Sequence, residues 1–227
     1  MNLKKTIVIV FTGIIYMVIL KLSKFLFPGA FNSILVIKTV HILSFLSGIS
    51  VILFGMYFMK EVNGKDNLKL NLAVFLAMIG PIYYTCRHIA GILIKFNGLS
   101  LKVYDFSPGL HQAISSFSVS SYSQFIFWLS SIFVFSFFYL LYKNLSTGFD
   151  GLSKAIRFVL YGTILTVVFR SFSLFVYLFL PNSILIHNPP MIIHLLGFMI
   201  FLFSSLVLLH FLIKLYQIED NTSILKI

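Results

Sequence analysis

The chain has 227 residues, of which 59% are hydrophobic and only 10% charged, with a mean hydropathy of +1.00; an ordinary soluble domain carries about 25% charged residues, so that class is excluded. The net charge of +11 comes from 17 Lys and Arg against 6 Asp and Glu. In a membrane protein this excess belongs to cytoplasmic loops and headgroups, which removes nucleic acid as the partner the basicity implies.

A helix that crosses the hydrocarbon core needs about 20 mainly apolar residues, and six segments meet that length: 6–27, 38–59, 70–95, 122–142, 158–180 and 191–216. The expected fold class is all-α, a polytopic membrane protein whose residues 1–227 form a single six-helix transmembrane domain. Met1-Asn2-Leu3-Lys4-Lys5 ahead of the first apolar run imitates a signal peptide, but no small-x-small cleavage site follows, so the segment is expected to stay as the first helix. Phe27-Pro28-Gly29 closes that helix, and Asn63-Gly64-Lys65-Asp66-Asn67 separates the second from the third. Gly80-Pro81 predicts a kink inside the third. The connection 96–121 is expected as an outer loop that either caps a site, lies at the interface, or merely links two helices. Pro181-Asn182 and Asn188-Pro189-Pro190 bracket the turn into the last helix.

Orientation follows from the placement of Lys and Arg. With the N-terminus in the cytoplasm, Lys4, Lys5, Lys60, Lys65, Lys69, Lys143, Lys154, Arg157, Lys214 and Lys226 lie inside, against Lys21, Lys24, Lys95 and Lys102 outside. This predicts N-in, C-in topology in the plasma (inner) membrane. The single cysteine, Cys86, leaves no internal disulfide and no zinc-finger spacing.

The stretch Pro81 to Lys95 sets Arg87 and His88 side by side in an apolar helix. Ionisable groups are costly at membrane depth and therefore mark functional sites. His41 lies 18 residues above Met59, His88 lies 18 above Leu70 and His194 lies 20 above Lys214, so all three stand roughly 27 to 30 Å up, at one level near the outer boundary. Arg170, counted from Phe158, stands roughly 18 Å up, a little deeper. Three histidines on three helices at one depth point to a ligand set for haem, copper or zinc, with plain hydrogen-bonded helix residues as the alternative. His111, His187 and His210 are expected to be ordinary interfacial or hydrogen-bonded helix residues.

Glu61, Asp66, Asp105, Asp150, Glu219 and Asp220 all fall outside the six apolar segments. Arg87 and Arg170 thus have no acidic partner inside the membrane, and a buried cation needs a counter-charge. A haem propionate, a lipid phosphate or a substrate carboxylate supplies one; otherwise both arginines snorkel or bond backbone carbonyls. The same absence removes carboxylate-bridged di-metal sites, aspartyl protease dyads and Mg²⁺-dependent phosphotransfer in the membrane plane. Small residues share a face with each histidine: Ser44 and Gly48 follow His41, Gly91 follows His88 and Gly197 follows His194. They admit either a flat macrocycle or a neighbouring helix.

Ile37-Lys38-Thr39-Val40-His41-Ile42-Leu43, with Gly48 a further turn on, resembles the opening helix of small membrane haem proteins of the HemJ-type protoporphyrinogen oxidase and CopD-like group. The match covers one helix of the six and implies that His41 is a haem ligand, without carrying over the oxidase activity. The leading expectation is a bundle that holds haem b near the outer leaflet through two of His41, His88 and His194, with Arg87, Arg170 or Lys38 on the propionates. Its role would be electron transfer or quinone-linked oxidoreduction. The alternatives are a protein that binds or transports an anionic lipid or small anion through the same cations, and a structural or assembly subunit among other membrane subunits.

Overall fold

A helix is the element that satisfies every backbone polar group within its own segment, as a bilayer requires, and the sequence supplies no carboxylate to interrupt the apolar runs. The computed structural model describes residues 3–27, 34–62, 68–96, 110–145, 149–179 and 191–218. Among them every regular element is an α-helix: α1 Leu3–Leu26, α2 Ile34–Val62, α3 Leu68–Ala77, α4 Ile79–Phe96, α5 Leu110–Asn144, α6 Asp150–Phe179 and α7 Met191–Ile218. Helices α3 and α4 together make one crossing, so six segments are long and apolar enough to span a membrane.

The break between α3 and α4 has a local cause. Pro81 lacks the amide that would bond the carbonyl four residues back. The Met78 amide is shared between the carbonyls of Val74 at 3.1 Å and Phe75 at 3.2 Å, and the ladder resumes with the Ile82 amide on the Met78 carbonyl at 2.9 Å. The six crossings then close into a ring in chain order: α1 packs on α2, α2 on α4, α3 on α5, α5 on α6, α6 on α7, and α7 back on α1.

Two starts differ from the sequence expectation. Helix α5 begins at Leu110, within the stretch expected as an outer loop, and α6 begins at Asp150 rather than near 158. Counting apolar residues finds the part of a helix that sits in hydrocarbon, whereas the helix itself continues into the headgroup layer. Nothing breaks α5 between Gly109 and Tyr122, and Asp150 in the first turn of α6 complements the positive end of the helix dipole.

Association of helices inside a bilayer rests on close packing rather than on the hydrophobic effect. At Gly48 a Cβ would run into Thr85 Oγ1 of α4, and at Gly162 it would come within 2.9 Å of Val207 on α7. The glycines therefore let these backbones approach. Packing is densest at the end where α1 begins, where Leu3, Ile7, Leu70, Leu141, Leu152, Ile156, Phe211 and Leu215 are all buried. Towards the other end the ring opens into a cavity.

Candidate functional site

Two features occupy the half of the bundle away from that packed end. The first is a pair of histidines. His41 on α2 and His88 on α4 stand 47 residues apart in sequence, yet their Nδ1 atoms meet at 2.9 Å. Their ring centroids are 5.0 Å apart, and the Tyr84 ring packs edge-on to His88 at 4.3 Å. One Nδ1 must carry the proton and the other accept it. A haem iron held by both imidazoles would stand between them with the macrocycle in the gap. Rings in direct hydrogen-bond contact leave no gap, so the pair as placed does not fit a bis-histidine haem. A single ion fits more closely, because two nitrogens each about 2.0–2.1 Å from tetrahedral zinc stand about 3.3 Å apart. Among the described residues no third His, Cys, Asp or Glu joins them. The His194 side chain lies outside the described residues.

The second feature is a cavity of about 370 Å³ lined by α1, α2, α4, α5, α6 and α7. Its wall includes Ser131, Thr163, Thr166 and Ser204, and each of these hydroxyls is already used. Ser131 donates to the Phe127 carbonyl at 2.7 Å and Thr163 to the Leu160 carbonyl at 2.9 Å. Thr166 donates to the Gly162 carbonyl at 2.8 Å and lies 2.9 Å from the Ser204 hydroxyl. Ser204 reaches across from α7 to the Gly162 carbonyl of α6 at 3.2 Å, so these four hydroxyls are spent on helix carbonyls and on one another, and the wall is apolar in effect.

The exception is Arg170. It lines the cavity, its guanidinium lies over the Phe127 ring at 5.1 Å, and its Nε is buried with no hydrogen-bond partner. Lys21 joins it from α1: its Nζ sits 3.6 Å from the ring centroid of Phe201, another lining residue. The two cations are near enough for their charges to act on each other. Among the described side chains the one carboxylate is Asp150, at the start of α6, 20 residues and about 30 Å from Arg170. Arg87 and Arg170 part company here, for Arg87 is exposed on the bundle surface, and Lys38 is half-buried near the start of α2. No known protein family, curated protein or solved structure matches the chain.

The small residues near the histidines receive neighbours. Gly48 faces Thr85, and Gly197 takes the edge of the Phe169 ring, within 3.0 Å of where a Cβ would lie. What sequence reasoning missed is Lys21, which it counted only as an outer charge, and the hydroxyl stripe of α6. Val159, Thr163, Thr166 and Arg170 all line the cavity, and their spacing of four, three and four residues is one helix face. That spacing was the available signal.

Proposed function

We propose that this protein binds an amphipathic anion within the membrane, holding a carboxylate or phosphate head at Arg170 and an apolar tail in the cavity below it. The observation that carries this reading is the buried, unpartnered Arg170 Nε at the end of a cavity whose remaining wall is apolar in effect. A cation in such a place is costly without a counter-charge, Lys21 adds to the positive potential, and a guanidinium binds carboxylate and phosphate through two parallel hydrogen bonds. The volume of about 370 Å³ sits at the small end of the range of roughly 300–1,000 Å³ for ligand sites. It suits one chain rather than the two of a phospholipid. With the N-terminus in the cytoplasm, as the lysine distribution favours, the head lies towards the outer leaflet of the plasma membrane. The role is recognition or transport of such an anion.

The test is a palmitate titration of delipidated protein in nanodiscs. Saturable binding that weakens in Arg170→Gln supports the reading. Wild-type protein that shows no saturable binding removes it.

A second reading, a redox protein carrying haem b on one of the two histidines or a copper or zinc ion between them, is favoured by the meeting of His41 and His88 inside the span. Its test is a dithionite-reduced minus oxidised visible spectrum, with metal analysis, on protein from a haem-replete host. A haem b band or stoichiometric metal that disappears in His41→Ala supports it; a blank spectrum without metal ends it.

A further inference from the structure

We infer that the tail of the bound anion continues past the first cavity into a second, so that the site selects long single chains over medium ones. This rests on the anion reading of Arg170 given above. Beneath the first cavity lies a second of about 150 Å³. Val51, Pro81, Val134, Phe138 and Leu208 line both, so one collar of side chains is all that separates them. Phe138 is the largest member of the collar, held by Phe137 at 4.8 Å and Phe211 at 5.2 Å between ring centroids. The lower chamber is walled by Val10, Phe54, Gly55, Val74, Ala77 and Leu212 among others, a lining with no charge.

The two chambers lie in line along the helices. On α7 the first runs from Phe201 to Leu208 and the second on to Leu212; on α2 the first begins at Ser47 and the second ends at Phe58. Arg170 stands about 30 Å from the start of α6 and Phe58 about 6 Å from the end of α2, so the path from head to floor is about 24 Å. Below Phe58 the buried cluster around Leu3, Leu70, Leu152 and Leu215 closes it. A path with a cation at one end, apolar walls and a sealed floor measures chain length. A chain that stops in the upper chamber leaves the lower one without contacts, and those contacts count because a tail dissolved in the bilayer already escapes water.

The experiment compares laurate with stearate, each displacing a fluorescent polyene fatty acid from the full-length protein in nanodiscs. Wild type is expected to prefer stearate by about tenfold or more, the scale set by one or a few methylenes in a fitted pocket. Ala77→Leu, which fills only the lower chamber, is expected to bring the two chains to within about twofold while laurate binding stays unchanged. Gly55→Val is the second variant should Ala77→Leu fold poorly: its added Cβ meets the flexible end of the Met78 side chain and occupies the same chamber. A stearate preference that survives both fillings, or an equal loss of both chains, overturns the lower chamber while leaving Arg170 as the head site. Absence of any saturable binding to wild type, with Arg170→Gln indistinguishable from it, overturns the anion reading and this inference with it.

Discussion

Replacing Arg170 separates binding from stability, because the two are expected to move in opposite directions. In the ligand-bound protein the guanidinium makes charge-assisted hydrogen bonds to the head, each worth about 1.5–3 kcal/mol. Arg170→Gln keeps a donor but loses the charge, so palmitate affinity is expected to fall by about tenfold to a hundredfold. Arg170→Lys should fall between the two, since an ammonium is a point charge without the fork geometry. In the ligand-free protein the ledger reverses. The cation gains about 0.5–2 kcal/mol from the Phe127 ring, while its buried Nε has no hydrogen-bond partner and its charge carries a desolvation penalty that an apolar side chain avoids. Arg170→Met is therefore expected to unfold at the same temperature as wild type or higher when delipidated, and to lose the thermal shift that palmitate gives wild type. The assay is a thermal scan in nanodiscs with and without palmitate, beside the titration. Affinity within about twofold of wild type in Arg170→Gln, or a ligand-free Arg170→Met destabilised by more than about 2 kcal/mol, would refute the reasoning.

Phe211 is fully buried in the packed end of the bundle, and Phe211→Ala is expected to cost about 3–5 kcal/mol in chemical or thermal unfolding. Gly48→Leu should push α2 from α4 at Thr85, lose about 1–3 kcal/mol, and part the histidine pair, which imidazole NMR would report. His41→Ala removes the 2.9 Å contact to His88 and is expected to lower stability by about 1 kcal/mol; a double-mutant cycle with His88→Ala gives the pair's own share. Palmitate affinity in His41→Ala should stay within about twofold of wild type, since neither histidine lines the cavity.

The fold class was legible because a bilayer turns composition into architecture: six runs of about 20 apolar residues admit only helices. Helix ends were less legible, as Leu110 and Asp150 illustrate, because the polar residues that mark the hydrocarbon boundary do not end a helix. Depth counting set His41, His88 and His194 at one level, yet depth alone does not say which helices are neighbours. That information lies in the ring order of the bundle, which Gly48 against Thr85 helps to set. Arg170 was legible as a cation without an acid. That Arg170 faces the cavity depends on helix rotation, which the nearly all-round apolar α6 does not encode. The serines and threonines of the wall carried a weaker signal still, because small hydroxylated residues serve membrane packing wherever they occur.

The most direct test of the central claim is photo-crosslinking with a stearate that bears a diazirine at its terminal carbon, followed by peptide mass spectrometry on wild type and Arg170→Gln. Label on the lower-chamber walls of α2, α3 and α7, around Phe58, Val74 and Leu212, suppressed in Arg170→Gln, is the predicted result. Label confined to outward-facing residues such as Val168 and Leu206, equal in both proteins, would place the chain in the surrounding bilayer and contradict the account.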